Sequence, residues 1–477
     1  MPDNPRRVLT VAPLPPEKIA YALARYSRSP DSIQDSLEWV RTHDSSKFLE
    51  SFYFQYGHAS IADLGHLVLC FEGISELAAT EIEDEQLWDG QARSSRYQDF
   101  SKSGFITPPG LSPEQATVYR LAADDLLEAY RAIHGGMTAY LTEQLPRPGD
   151  MKPDAYSRNI IARAYDVARY CLFLGIPTGV GQVVSIRTLE RQIRRMRASE
   201  YLELAELGLE TALACTLPPA CGLDDSSTEP LAPTLAKYTE PESHPPASRR
   251  DLATWAEQNL PPAERTATTK LVDLIAPADR VADIAATLLY PVTTRPFREL
   301  YNLVVTWSRT RQMEVIETAL QSRTRRDELL REFRTATYAF DFVIDIGAWR
   351  DLHRHRRCQQ FRQAFTADLG FATPDVLQVA GLESVYIEVL EKTAAAIQSL
   401  PKFASDYLIP FGMRSRFLFR MDFAEAEYII RLRSGVKGHF SYREIAWEMK
   451  EELSRVEPEL SFLLEATPPS VEDPLKR

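Results

Sequence analysis

The chain has 477 residues, 44% hydrophobic and 26% charged, with 55 Lys and Arg against 67 Asp and Glu, a formal net charge of -12. These are the proportions of a soluble globular protein with chain enough for two or three domains, and the acidic balance argues against a general nucleic-acid binder. The five cysteines are dispersed without metal-ligand or disulfide-framework spacing, so no metal is expected. No apolar core follows the charged residues 1–7 and no charge-free apolar run reaches spanning length, so a cytoplasmic chain with no membrane partner is expected.

In chain order, residues 8–11 read as a short strand, and Pro16 with Glu17 opens a helix. Helical patterns follow over 33–40 and 48–54. The stretch 56–66, Y-G-H-A-S-I-A-D-L-G-H, leads into the apolar run 67–71. Gly73 punctuates that run, and 74–82 reads as helix. Residues 83–98, E-D-E-Q-L-W-D-G-Q-A-R-S-S-R-Y-Q, are too polar and glycine-bearing to be regular throughout. Ser112, Pro113 and Gln115 make a helix start from a capping hydroxyl, a first-turn proline and a reciprocal amide, with the helix running to about Leu141. Another helix begins near Tyr156 and passes through Arg163, Tyr165 and Arg169. Residues 216–250, dense in Pro, Ser, Thr and acids, lack the apolar surface to hold one conformation and read as a linker.

The second half repeats the first weakly. S-I-R-T-L-E-R-Q-I-R-R-M-R over 185–197 and D-F-A-E-A-E-Y-I-I-R-L-R over 422–433 are both helical by pattern and both end in arginine. A final packed helix is expected over 439–453. The stretch the chain is organised around is 350–362, R-D-L-H-R-H-R-R-C-Q-Q-F-R, with five arginines and two histidines against Asp351. A basic knot that dense in an acidic protein calls for an anion, and guanidinium forks suit phosphate or carboxylate. The alternative, a solvated basic face, is weakened by the apolar segment 340–349 that places the knot where an ordered element ends. The expected class is α+β: two related lobes, 1–215 and 267–457, each a small mixed sheet with packed helices. A Pro-rich linker, 216–266, joins them, and 458–477 forms a tail.

These residues carry a resemblance to the flavin-dependent thymidylate synthase family, in its long tandem form. The family's signature loop begins R-H-R and ends in S-x-R-Y. The second half has Arg354, His355 and Arg356 but Ala364, Thr366 and Ala367 where S-x-R-Y belongs. The first half has Ser94, Ser95, Arg96 and Tyr97 but Asp84, Glu85 and Gln86 where R-H-R belongs. Supporting matches are G-H-A-S with His66, A-R-Y-C-L-F from Ala168, and L-I-P at 408–410 ahead of the helix ending in Arg433, with His439 beyond.

The resemblance implies an enzyme that methylates dUMP to dTMP with methylenetetrahydrofolate, FAD carrying the hydride and NADPH recharging it. It assigns Ser94, Ser95, Arg96 and Arg169 to dUMP, and Arg433 to polarising the uracil. It assigns His66, Arg354, His355, Arg356 and His439 to FAD. Without the resemblance, Ser94 reads as a turn hydroxyl, His66 as a structural histidine, Arg169 as an ion-pair partner and Arg187 as one arginine of a basic helix. Three departures stand against the pattern: Asp406 for an arginine, Asp351 for a glutamine, and Ser185 and Asp422 for an asparagine. They leave room for two alternatives. One is a non-catalytic flavin- or nucleotide-binding homologue, as sensor or structural partner; the other is a flavoenzyme acting on another pyrimidine nucleotide. Because each half has lost the end the other kept, the expected site is composite, one per chain. The set left over, with Asp84, Glu85, Ala364 and Thr366, would repel phosphate. The family's tetrameric short form implies a homodimer here.

Overall fold

The computed structural model describes residues 6–11, 15–26, 39–40, 43, 61–96, 98–221, 228–234, 236–261, 270–275, 279–323, 330, 332, 338–421, 423–456, 461, 464–473 and 475. The helix expected over 48–54, the residues Gly57 to Ser60 of the G-H-A-S motif, Tyr97 and Asp422 lie outside them. The chain forms two compact units, Met1–Arg93 with Ile176–Glu242 and Ser94–Gly175 with Ser243–Arg477. Each is α+β, built on a small antiparallel sheet.

In the first unit the strands are β1 (Arg7–Val11), β2 (His66–Ser75), β3 (Asp89–Ala92) and β4 (Pro177–Ser185), in the order β1-β2-β4-β3. Leu67, Leu69 and Phe71 alternate along β2 and are fully buried, the period-2 pattern of a strand with one face on a core. Gly73 does not end the strand. Its φ of 67° lies in the left-handed region, where it bulges β2 before the strand resumes at Ile74. The helix Ile186–Arg197 leaves β4 directly, capped by the Ser185 side chain, and buries Ile186, Leu189, Ile193 and Met196 as one stripe.

The second unit carries β5 (Val272–Ile275), β6 (Tyr338–Asp345), β7 (Gln359–Arg362) and β8 (Arg414–Met421), in the order β5-β6-β8-β7. The two sheets share one strand order. The mixed sheet expected in each lobe is not found: every pair in both sheets is antiparallel. In the second sheet, β8 lies between β6 and β7, so these two strands, which run the same way, never meet.

The helix Pro113–Gln144 shows the full reciprocal cap between Ser112 and Gln115, and packs on Pro153–Ala168 and Glu383–Ser399. The segment 94–175 thus packs with 243–477, across the boundary expected at residue 215. The stretch expected as linker is also partly ordered. Leu231 and Ala232 are buried, and a helix spans His244–Asn259. Pro245 and Pro246 fall in its first turn, where a missing N–H breaks no helical bond. That helix joins Arg280–Leu289, Phe297–Val305 and Arg309–Leu320 in a core that reaches Phe361 and Leu418 of the sheet. Among the described residues, no helix is long and apolar enough to cross a membrane.

Candidate functional site

The basic stretch begins where β6 ends. The Asp345 side chain accepts from the Ala348 N–H at 2.7 Å, capping the helix Ile346–Leu352, and accepts the Ser441 hydroxyl proton. Burial raises the Asp345 pKa, offset by these donors and by Arg169. Past the helix the chain turns through 353–358, and Gln360 holds the turn from inside. Its Nε2 donates to the His355 carbonyl at 2.9 Å and to that of His353 at 3.3 Å, and its Oε1 lies 3.0 Å from His353 Nδ1. With its carbonyls turned inward, the turn leaves Arg354 exposed and Arg356 half-buried.

Four more arginines of the second unit gather by that helix and turn. Arg169, 2% exposed, donates to the Gly347 carbonyl at 3.0 Å and to Asp351 Oδ2 at 3.2 and 3.3 Å. Its Nε is buried without a hydrogen-bond partner. Arg350 reaches Ser95 Oγ at 3.2 Å and lies over the Phe411 ring. Arg96 donates to Asp166 Oδ1 at 2.8 Å, the Tyr442 hydroxyl at 3.0 Å and the Lys437 carbonyl at 3.3 Å. Arg433 lies 5.5 Å from the Tyr442 ring centre, and Arg96 lies 5.7 Å from it. Burial pushes the Asp351 carboxyl up, yet Arg169, Arg96, Arg433 and Arg350 together hold it below its ordinary value. One carboxylate therefore feels four guanidiniums. Such an arrangement attracts a second, more highly charged anion.

The histidines play a different part. His355 is 5% exposed; its Nε2 accepts from Arg433 Nε at 2.8 Å, and its Nδ1 lies 3.7 Å from Glu425 Oε1. Burial, with Arg433 beside it, lowers its pKa against the pull of Glu425, and a neutral ring is what accepting from Arg433 requires. His439 is fully buried, bonded through Nε2 to the Asp166 carbonyl at 2.9 Å, while Nδ1 accepts from the Ser441 N–H at 3.2 Å. Burial, then Arg169 and Arg96, push its pKa well down. Both rings serve as fixed struts behind the arginines.

Of the residues singled out in the sequence, Ser94, Ser95, Arg96, Arg169, Arg354, His355, Arg356, Arg433 and His439 all belong to the second unit. Ser94 is a turn hydroxyl, accepting from the Arg96 N–H at 3.3 Å. Arg169 is an ion-pair partner, of Asp351, and is buried. His66 belongs to the first unit, exposed at the first residue of β2, and Arg187 pairs there with Asp63. Thr366 donates to Asp368, and Ala364 is exposed. Sequence reasoning missed Asp166, Tyr442, Glu425 and Gln360. Asp166, one helical turn before Arg169, carried a readable signal; the partnership of Tyr442 with Arg96, 346 positions apart, carried none.

The Thy1 profile, thymidylate synthase complementing protein, matches residues 8–208 and again 270–459. The UPF0159 protein of Chlamydia muridarum is 25% identical over 423 residues, 84% of this chain and 77% of that one. The UPF0159 protein Ta1429 of Thermoplasma acidophilum is 24% identical over 488 residues, 93% of each chain. Among solved structures, thymidylate synthase X (ThyX) from Helicobacter pylori with FAD and dUMP is 16% identical, with 44% of this chain and 92% of that one covered, at a TM-score of 0.29. The UMP/dUMP methylase PolB from Streptomyces cacaoi bound with 5-Br dUMP is 11% identical, with 49% and 94% covered, at a TM-score of 0.33. Scores that low carry no argument about the fold. The two sequence matches, one in each half and together spanning most of its length, do decide the family: the chain belongs to the thymidylate synthase complementing proteins.

Proposed function

We propose that the chain is a flavin-dependent methylase of dUMP, taking a methylene from methylenetetrahydrofolate with FAD as the hydride carrier and NADPH as reductant. The observation that carries this reading is the gathering of Arg96, Arg169, Arg350 and Arg433 about the helix Ile346–Leu352 and its turn, with Arg169 on Asp351, Arg96 on Asp166, Arg350 on Ser95 and Arg433 on His355, in a member of this family. A nucleotide phosphate is the anion this cluster suits. Arg96 and the Ser94 and Ser95 hydroxyls grip it, and Arg433, braced by His355, stabilises charge that develops on the pyrimidine.

For FAD, the exposed and half-buried guanidiniums of Arg354 and Arg356 suit a pyrophosphate. His355 and His439, with both ring nitrogens engaged or faced, are supports for those groups and not direct ligands. Bound reduced FAD supplies the hydride. Ser94 to Arg169 fall in one family match and Asp345 to His439 in the other, which supports a composite arrangement with one site per chain. We take the working assembly to be a homodimer, and a stable monomer in light scattering at micromolar concentration would count against it.

The test of the activity is tritium release from 5-tritiated dUMP with FAD, NADPH and methylenetetrahydrofolate. Release that depends on all three supports the reading; release without folate points to other flavin chemistry. A colourless protein that cannot be reconstituted with FAD favours the non-catalytic binder.

A further inference from the structure

The Arg96 guanidinium is held by three elements: Asp166 of the helix Pro153–Ala168, the Lys437 carbonyl in the loop 434–438, and Tyr442 of the helix Phe440–Val456. All three are also bonded to one further stretch of chain, residues 464–475. On the first helix, Asn159 Nδ2 donates to the Leu475 carbonyl at 2.8 Å and Arg163 Nη2 to that of Asp473 at 3.0 Å. In the loop, Ser434 Oγ accepts from the Thr467 N–H at 3.0 Å. On the second helix, Arg443 Nη2 donates to the carbonyls of Pro468 and Val471 at 3.1 and 2.7 Å, while its Nε holds the Ser434 carbonyl at 3.0 Å.

One guanidinium, that of Arg443, therefore grips the loop and the segment together. The geometry suits the sequence of the segment. Pro468 and Pro469 have no N–H, so that part of the backbone presents acceptors to the arginine donors. Glu472 and Asp473 add negative charge next to Arg163, and Arg443 also feels Glu472. Ser434 and Arg443 are 1% and 3% exposed, so the bond between them is made away from competing water. Ser434 directly follows Arg433, which sits among the site arginines.

We infer that residues 464–475 are a positioning strap: they hold the loop 434–438 so that Arg433 and the Lys437 carbonyl present and aim the arginine cluster. The ligand in this inference rests on the nucleotide reading above; the effect on the loop does not. Two variants of the full chain test it, deletion of residues 467–477 and Ser434→Ala, each followed by three measurements. These are hydrogen exchange at 434–438, dUMP binding by calorimetry, and melting temperature.

Deletion should speed exchange at 434–438 and raise the dUMP Kd about tenfold, roughly the loss of one charge-assisted contact, with little change in melting temperature. Ser434→Ala should do the same more weakly, and it covers the case in which the deleted chain does not fold. A peptide of residues 464–477 added in trans to the deleted chain should slow the exchange again. Unchanged exchange in the loop overturns the inference, and so does an unchanged Kd in a protein whose parent binds dUMP. A lower melting temperature with exchange and Kd unchanged marks a merely structural segment, and also overturns it. If the parent chain itself binds no dUMP, the nucleotide reading fails and the exchange measurement alone decides the strap.

Discussion

The two units build the same corner with opposite charge. In the first, Ser75 caps the helix Glu76–Glu83, and the turn that follows carries Asp84 and Glu85. In the second, Asp345 caps Ile346–Leu352, and the turn carries Arg354, His355 and Arg356. The helix after the last strand of each sheet answers the turn in kind. Arg191 meets Glu85 at 2.9 Å and Arg195 meets Asp84 at 3.4 Å in the first unit. Glu425 and Arg433 flank His355 in the second. The first corner is neutralised from within by acids and arginines in equal number. The second keeps a surplus of cations, enlarged by Arg96 and Arg169. A shared scaffold therefore does not imply a shared ligand; the balance of charge at the turn decides which corner calls for an anion.

The largest expected effect comes from removing what supports the second corner. Arg420 of β8 and Asp283 form a two-pronged ion pair, 1% and 3% exposed, with the Arg420 guanidinium over the Phe297 ring. Asp283→Ala leaves a guanidinium buried without its counter-ion and should cost about 3–5 kcal/mol in urea unfolding. A change under about 1 kcal/mol would show that the pair is not desolvated as its burial indicates.

Next in size are the arginines themselves. Arg96→Ala should weaken dUMP binding about tenfold to a hundredfold, ~1.5–3 kcal/mol, while sparing FAD. Arg354→Ala should strip FAD first. Arg191→Ala, in the self-neutralised corner, should leave dUMP affinity within about twofold, since its partner Glu85 and not a ligand uses that charge. Calorimetric titration of the three variants separates the corners. Two equivalent dUMP sites per chain, or an equal loss from Arg191→Ala and Arg96→Ala, would undo the contrast.

A smaller effect is expected at Asp351, the carboxylate inside the arginine cluster. Asp351→Asn removes the carboxylate that Arg169 bonds and should tighten dUMP binding by up to about tenfold, on the order of 1 kcal/mol. Stability should fall, because Arg169 is 2% exposed and loses its charged partner. Weaker binding in this variant would mean that Asp351 bonds the ligand directly.

What was legible in the sequence follows the range of the physics involved. The Ser112–Gln115 cap, the alternation of β2 and the helix stripe from Ile186 to Met196 are written in neighbouring residues, and all were readable. The basic turn was readable as composition, and its departure from the acidic turn as a broken motif. The mixed sheet was misjudged because local pattern does not say that β8 inserts between β6 and β7. The partners of Arg169 were not legible because Gly347 and Asp351 lie 178 and 182 positions away. Prolines at 245 and 246 looked like linker chemistry when they open a helix, since the same missing N–H suits both.

The last and smallest effect is the response to pH, and its sign follows from the struts behind the cluster. His355 and His439 both have folded pKa values below the ordinary one: burial dominates each, with Arg433 adding for His355 and Arg169 and Arg96 for His439. Between the unfolded value, about 6.5, and the lower folded value, the unfolded chain binds more protons, so stability rises with pH there. Acidification should therefore lower the melting temperature from about pH 6.5 downward. Asp351, also depressed, stabilises the fold above its unfolded value of about 3.9, and that contribution is lost only as pH falls further. Two acid limbs are expected. His439→Gln should shrink the upper limb and leave the lower one, whereas Asp351→Asn should do the reverse. The first corner offers no such buried histidine at its turn, which reads Asp84, Glu85, Gln86. Hydrogen exchange followed by residue should accordingly show the upper limb in the second unit and not at the turn 84–86. An upper limb that survives His439→Gln and His355→Gln together would place the titrating group elsewhere in the chain.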